Sequence, residues 1–265
     1  MKTAPVLFVS HGAPTFALEP GRLGPQLTTI GRQLQDVTAV LVVSPHWQTR
    51  DVQVMATAQP ATVHDFGGFP AALYQLRYPA PGQAQIAAEA AQLLADAGHA
   101  ASSDTQRGLD HGAWVPLYHL LPGAGVPVFQ VSMPYALDTA GAVKLGQALA
   151  PLRQRGVLIL ASGSMTHNLY EFRQSGVKAA DYAVEFTHWV RQAVSSNDLD
   201  RLVDYRQRAP HAERAHPTEE HFLPLLVALG ARSDAQALQV LDGGITHGVI
   251  SMESYAWGLP HGMQS

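Results

Sequence analysis

The residues with the clearest chemical potential in this 265-residue chain are histidines that follow short apolar runs. His11 stands in Ser10-His-Gly-Ala-Pro14 after Val6-Leu-Phe-Val9, and His46 stands in Ser44-Pro-His-Trp47 after Val40-Leu-Val-Val43. His167 closes Ala161-Ser-Gly-Ser-Met-Thr-His167, which follows Val157-Leu-Ile-Leu160. Such runs read as buried strands. If they lie parallel in one sheet, their carboxyl ends share the edge where open α/β sheets place their ligands, and imidazoles gathered there point to a metal ion. The chain has no cysteine, so the ion must be held by nitrogen and oxygen, which excludes iron–sulfur and soft-metal chemistry. A catalytic ion needs about three protein ligands and an open position. His11 and His46 supply two, and His216-Pro-Thr-Glu-Glu-His221 offers the third as a carboxylate or an imidazole. Thr218 there is placed to cap a helix with Glu219, Glu220 and His221 in its first turn, although Pro224 strains so early a start.

Other candidates carry competing structural readings. His99, His119, His188, His247 and His261 read as hydrogen-bonded structural groups. His111, beside Asp110, and His64, beside Asp65, are each as compatible with a turn as with a site. In His64-Asp-Phe-Gly-Gly-Phe-Pro70 the aromatics could pack a loop or face a flat ligand, and the double glycine is not a phosphate loop because no Lys-Ser or Lys-Thr follows. Ala161-Ser-Gly-Ser-Met165 does not match the Gly-x-Ser-x-Gly of a serine nucleophile. Arg50, Arg77 and Arg173 are available to pair with a substrate carboxylate, with nothing to select among them.

The elements that must position these groups follow from pattern. With 46% apolar and 14% charged residues there is ample material for one large α/β domain, expected to occupy residues 1–265. The formal charge of −4, without a basic run, gives nucleic acid no electrostatic foothold. The apolar run after Lys2 breaks too early for a signal peptide, and no stretch is long enough to cross a bilayer, so a soluble cytoplasmic protein is expected. Strands are predicted near 5–9, 38–44, 126–132 and 156–161, with antiparallel edges near 52–57 and 248–254. Helices are predicted over 23–34, over 83–97 with Ile86, Ala90, Leu93 and Leu94 buried and Gly98 ending it, from Asp138 as N-cap through 155 with Gly156 closing it, and over 179–194. Segments 58–82 and 203–219 read as site-covering loops. A single-domain α/β/α sandwich with a largely parallel, mixed central sheet is the expected fold, with the metal site at the carboxyl ends of the strands.

Several of these segments together resemble the class III extradiol ring-cleaving dioxygenases, in the DOPA-dioxygenase-like branch of the LigB superfamily. They are Ser10-His-Gly-Ala-Pro14, Val43-Ser-Pro-His-Trp47, His64-Asp-Phe-Gly-Gly-Phe-Pro70, Tyr78-Pro-Ala-Pro-Gly82, Asp110-His-Gly-Ala-Trp114, Ser162-Gly-Ser-Met-Thr-His-Asn-Leu169 and Pro217-Thr-Glu-Glu-His-Phe-Leu-Pro-Leu-Leu226. The resemblance implies that His11, His46 and His221 are metal ligands and that His167 is a catalytic acid/base or a further metal contact. It also implies that His111 is a second active-site histidine; Trp47, His64 and Phe66 are candidates to border an aromatic substrate. The related protocatechuate-cleaving branch has glutamate as third ligand, which makes Glu220 the fallback. The implied reaction opens a catechol-type ring, such as DOPA or caffeate, beside its hydroxyl pair with O2, giving a muconic semialdehyde-type product. One Fe(II) or Zn(II) per chain is implied, because three neutral imidazoles suit either ion. A zinc-dependent hydrolase and a non-catalytic metal- or aromatic-binding homologue are the alternatives. Monomer and homo-oligomer are equally compatible with the sequence.

Overall fold

The structure is a computed structural model that describes residues 3–174 and 176–260, so that His261 lies outside the described residues. The strands are β1 (Val6–Ser10), β2 (Ala39–Thr49), β3 (Val52–Met55), β4 (Ala101–Asp104), β5 (Val128–Pro134), β6 (Val157–Gly163), β7 (Leu238–Leu241), β8 (Ile245–Thr246), β9 (Ile250–Ser251) and β10 (Ser254–Trp257). The helices are α1 (Leu23–Gly31), α2 (Ala84–Asp96), α3 (His111–Leu120), α4 (Thr139–Leu149), α5 (Asp181–Ser195), α6 (Leu199–Val203), α7 (Tyr205–Arg208), α8 (Ala212–Ala215) and α9 (Leu223–Ala231).

Eight strands form one mixed sheet in the order β4-β3-β5-β2-β6-β1-β10-β7. Its centre, β5-β2-β6-β1, is parallel, as the continuous apolar runs require: every residue of β1 and β6 is buried, which only a sheet covered on both faces produces. Register then decides where side chains emerge. Ser10 lies opposite Gly163 and Val43 opposite Ala161, so the segments leaving β1, β2 and β6 emerge side by side.

The antiparallel flanks differ in detail from expectation. The 52–57 run forms β3, antiparallel to β5, but β4 lies outside it and takes the edge. In the 248–254 region, β9 pairs with β8 in a separate two-stranded ribbon, and β10 is the strand that joins the main sheet against β1. The helix capped by Asp138 ends as α-helix at Leu149 and tightens into a 3-10 stretch, Ala150–Arg155, because Pro151 has no N–H to continue the ladder. Gly156, at φ +80°, closes it as predicted. In α2 the fully buried stripe is Ala87, Ala90 and Leu94, with Ile86 and Leu93 half-buried on its flanks. Segment 203–219 is not a covering loop: it folds into the short helices α7 and α8, behind the site.

α9, whose nine residues are all buried, packs over β6, β1 and β2 and crosses α4 at glycines. A Cβ on Gly230 would lie 2.0 Å from the Val143 carbonyl oxygen, and one on Gly146 would lie 2.0 Å from that of Val227. Helix propensity alone makes Gly230→Ala stabilising by about 1 kcal/mol. The crossing reverses the sign: we expect a loss of about 1–3 kcal/mol from overpacking, read as a lowered urea midpoint, and a raised midpoint would refute the tight crossing.

Candidate metal centre

Each of five histidines reaches the sheet's carboxyl edge by a different local device. His11 is the first residue beyond β1 and is held by its backbone N–H on the Gly163 carbonyl at 2.9 Å. His46 lies inside β2, which runs past the expected end at 44. Between the pairs Val43–Val131 and Gln48–Met133, β2 advances five residues and β5 only two, so Ser44 to Trp47 bulge from the ladder. Pro45, which cannot donate a ladder bond, sits in that bulge, and the bulge re-aims His46. His111 opens α3 behind its N-cap Asp110, whose carboxylate accepts from the Ala113 N–H. His167 is set by its N–H on the Ala215 carbonyl, at 2.8 Å, which is what α8 contributes. His221 is in the turn before α9. That helix starts later than predicted, with Pro224 in its first turn where the missing N–H is tolerated, and Thr218 instead donates its hydroxyl to Glu220 Oε1 at 2.9 Å.

Three of these rings aim ring nitrogens at one point. His11 Nδ1 is taken by the Ser162 hydroxyl at 2.9 Å, and His221 Nδ1 by Glu220 Oε1 at 3.0 Å, which leaves Nε2 of each ring as the free donor atom. His46 Nε2 lies 3.1 Å from His11 Nε2. Donor atoms of His11, His46 and His221 fall within 4.8 Å of one another. Two nitrogens bonded to one ion at about 2.1 Å sit roughly 3.0–3.4 Å apart, and the His11–His46 pair already has that spacing. His221 Nε2 is buried with no hydrogen-bond partner, a state that is costly in the metal-free protein and that a cation relieves. The residues present therefore fit a divalent ion. Glu220, the fallback ligand, instead orients His221 from behind, as a carboxylate does in a carboxylate–histidine–metal arrangement.

A buried hub fixes His46 against His111. Asp110, fully buried, accepts from Ser44 Oγ, Gln130 Nε2 and Arg107 Nη2, each at 2.8 Å, while Ser44 Oγ accepts from the His46 N–H and Arg107 donates to the His46 carbonyl. Asp65 completes the pairing: one carboxylate oxygen is 2.9 Å from the His111 N–H and 3.0 Å from His111 Nδ1, and the other is 3.8 Å from His46 Nδ1. The end of β6, Ser162–Gly163, seats His11 and His221 together, since a Cβ on Gly163 would strike the His221 carbonyl oxygen at 2.4 Å.

Burial holds His11, His46, His167 and His221 neutral. Burial, reinforced by the other rings, pushes His11 and His221 well below their usual value and His46 to about 4. Burial also takes His167 to about 4 against the opposing pull of Glu220. Burial alone would push the Asp65 carboxyl up, but hydrogen bonding to His111 brings it down to about 2. His167 stacks on His221 with ring centroids 3.5 Å apart and planes 10° apart.

The five imidazoles floor a cavity of about 600 Å³. Its walls are largely apolar, with Phe66 and Phe69 from segment 58–82 together with Leu169, Phe172 and Ile250. Of the predicted substrate-bordering residues, Phe66 lines this cavity. Trp47 does not: it is buried under the Arg107 guanidinium, 5.1 Å from its ring centre. His64 does not either, and is tied to the Leu76 carbonyl at 3.2 Å between Phe66, Tyr74 and Trp114. Phe69, among the loop aromatics that could pack or face a flat ligand, lines the cavity; Leu169, Phe172, Ile250 and the supporting Asp65, Ser162 and Gln130 are not assigned to the site by sequence reasoning, and of these only Asp65, an acid beside a histidine in a glycine-containing loop, carries a local signal.

A model of the family described as the catalytic LigB subunit of aromatic ring-opening dioxygenase matches residues 7–255. The chain belongs to the LigB family. A 4,5-DOPA dioxygenase extradiol from Beta vulgaris is 38% identical to this LigB protein over 252 residues, 94% of each chain. A protein of the same name from Escherichia coli K12 is 35% identical over 258 residues, 96% of this chain and 94% of that one. A crystal structure of an uncharacterized Escherichia coli K12 protein superposes with a TM-score of 0.81 at 30% identity, covering 96% of this chain and 100% of the other. The LigB protein is thus an extradiol ring-opening dioxygenase of the DOPA-dioxygenase-like branch, a metal-dependent class, on the α/β fold expected from its sequence. No described helix is long and apolar enough to cross a membrane.

The depressed histidines set a pH dependence for the metal-free protein. His46 and His167 at about 4, and the fully buried His216 at about 3, take up protons in the unfolded chain from near pH 6.5 downward, but in the folded chain only well below that. Folding stability is therefore fully present above about pH 6.5 and falls as pH drops toward 4, by roughly 1 kcal/mol per pH unit for each such histidine. Denaturant midpoints at pH 7.5 and pH 5 measure this, and equal midpoints would contradict the buried, neutral assignment.

Proposed function

We propose that the enzyme cleaves a catechol-type ring beside its hydroxyl pair with O2, using one divalent ion held by Nε2 of His11, His46 and His221. The observation that carries this reading is the convergence of those three nitrogens under an apolar-walled cavity, with the His11 and His221 rings fixed from behind. Three neutral imidazoles leave the full charge of a dication uncompensated, which favours a catecholate as the partner that completes the sphere. Fe(II) is our choice of native ion: when bound, it supplies Lewis acidity toward the catechol oxygens and the one-electron chemistry that a spin-paired ring needs to react with dioxygen. Zn(II) fits the same nitrogens but cannot exchange electrons.

The chain supplies the remainder. His167 accepts the catechol proton at a ring nitrogen and returns it as the ring opens; held neutral and partly open to the cavity, it is in the right form to act as a base near neutral pH. Its donor atom is near enough to those of Glu220 and His221 to be considered a ligand. The near-parallel stack argues otherwise: two rings 3.5 Å apart with planes 10° apart direct their in-plane lone pairs along separate parallel planes, so His11, His46 and His221 would hold the ion and His167 would stay free as acid/base. His111, on the cavity floor with Asp65 Oδ1 3.0 Å from its Nδ1, would donate to the substrate or O2, and Phe66, edge-on to His111 with centroids 5.6 Å apart, walls the ring position. The apolar walls keep bulk water from the reacting carbons.

Anaerobic loading with Fe(II) followed by oxygen uptake on a panel of catechols should give one O2 consumed per ring opened, and none with Zn(II). Turnover of an ester by the Zn(II) form without O2 would instead favour the hydrolase. His221→Ala should fold but lose the ion. His167→Gln should keep the ion and lose on the order of 10²-fold or more in kcat; full loss of metal from His167→Gln would return it to the ligand set.

A further inference from the structure

We infer that His216 is a positioning residue for the reaction: the bond from its Nε2–H to the Met165 carbonyl holds His167 in register with the three ligand histidines. The inference rests on the ring-opening reading above and adds a residue that does not line the cavity. His216 is fully buried, with the rings of Phe222, Phe186 and Tyr205 centred 5.3, 5.5 and 6.3 Å away. Its Nε2 lies 2.9 Å from the Met165 carbonyl oxygen. A carbonyl only accepts, so the ring proton is on Nε2, and Nδ1 is left buried without a hydrogen-bond partner among the described residues. An aromatic pocket that needed only filling would be served better by phenylalanine or leucine, which carry no nitrogen to leave unpaired. What the position requires is the donor.

That donor acts on the stretch that carries His167. Residues 164–168 follow β6 without a regular ladder, and each is tied to another segment instead. The Ser164 N–H donates to the His221 carbonyl at 2.9 Å, the Met165 N–H to Ser10 Oγ at 3.0 Å and the Thr166 hydroxyl to the Val249 carbonyl at 2.7 Å. The His167 N–H and Asn168 Nδ2 donate to the Ala215 and Arg214 carbonyls, each at 2.8 Å, just before His216. Met165 is itself fully buried. Without His216 its carbonyl would be left unpaired away from water, a cost the chain relieves by turning the Met165–Thr166 peptide and His167 with it. The ligands have anchors of their own: His11 has the Gly163 carbonyl and the Ser162 hydroxyl, and His221 has Glu220. The disturbance therefore falls on the acid/base ring stacked 3.5 Å from His221, and not on the hold over the ion.

The test compares His216→Met, which fills the pocket without a donor, with His216→Gln, whose amide nitrogen can take the place of Nε2. With Fe(II), His216→Met should keep one ion per chain and its KM but lose on the order of 10-fold to 10²-fold in kcat, as a misplaced catalytic group does, and His216→Gln should recover most of that loss. Absorption spectra of 4-nitrocatechol bound to the Zn(II)-loaded proteins give a second readout without turnover, because the band reports how many phenolic protons have left. Wild type and His216→Gln should hold the doubly deprotonated form, and His216→Met should shift toward the singly deprotonated one. If His216→Met does not fold, His216→Asn, whose shorter amide stops short of the Met165 carbonyl, takes its place in both measurements. Wild-type kcat in the donor-less variant, equal losses in it and in His216→Gln, or a nitrocatechol band that it leaves unmoved overturns the inference and leaves ring opening intact. Absence of turnover by the wild type on every catechol overturns ring opening, while the nitrocatechol spectra still decide whether His216 positions a proton acceptor.

Discussion

Bringing three imidazole nitrogens to one point in a low-dielectric setting is the constraint on which the site depends. Each ring must be neutral, since a protonated nitrogen cannot bind a cation, and each must be locked in rotation, since the free nitrogen alone has to face inward. Burial and mutual repulsion accomplish the first, pressing His11 and His221 well below their usual values. Back-side partners accomplish the second: Ser162 for His11, Glu220 for His221 and, more distantly, Asp65 for His46. The carboxylates thus work at one remove. In the proposed site they orient imidazoles and supply negative charge near the ion without binding it.

The sheet converts this local demand into topology. Parallel pairing of β1 with β6 and of β6 with β2 brings His11, His46 and the Ser162–Gly163 end of β6 to one edge at matched heights. The remaining contributions come from segments that close over that edge. α3 begins there because Asp110 both caps the helix and bonds Ser44, Gln130 and Arg107, so a single buried carboxylate ties the helix start to β2 and β5. Such a carboxylate is tolerated inside the protein because donors surround it, and leaving any one of them unpaired would be costly.

What the sequence revealed follows from how strongly physics marks each element. Runs such as Val157-Leu-Ile-Leu160 are legible because strands buried on both faces have no alternation to confuse. Ala101–Asp104 and Leu238–Leu241 carry no such mark: they are short, largely outside the core, and are strands only because a neighbour offers a ladder. His11 and His46 were visible at strand ends, whereas His221 was separable from Glu220 only through resemblance to a family, since both lie in the same short turn. Trp47 misled because the bulge at Ser44 to Trp47 breaks the alternation that would have shown which way it points, and it turns beneath Arg107 instead. The apolar wall of Leu169, Phe172 and Ile250 comes from the segment after β6 and from the short strand β9, whose approach to the cavity is set by tertiary packing, which no local pattern encodes.

The central claim is the identity of the ion's ligands, and X-ray absorption at the metal edge of protein loaded with one equivalent of Fe(II) tests it most directly. Three imidazoles at about 2.1 Å, with their outer-ring scattering reduced by one ring in His221→Ala and unchanged in Glu220→Gln, are the predicted result. A first sphere that keeps all its imidazole scattering in His221→Ala, or that loses an oxygen ligand in Glu220→Gln, would contradict it.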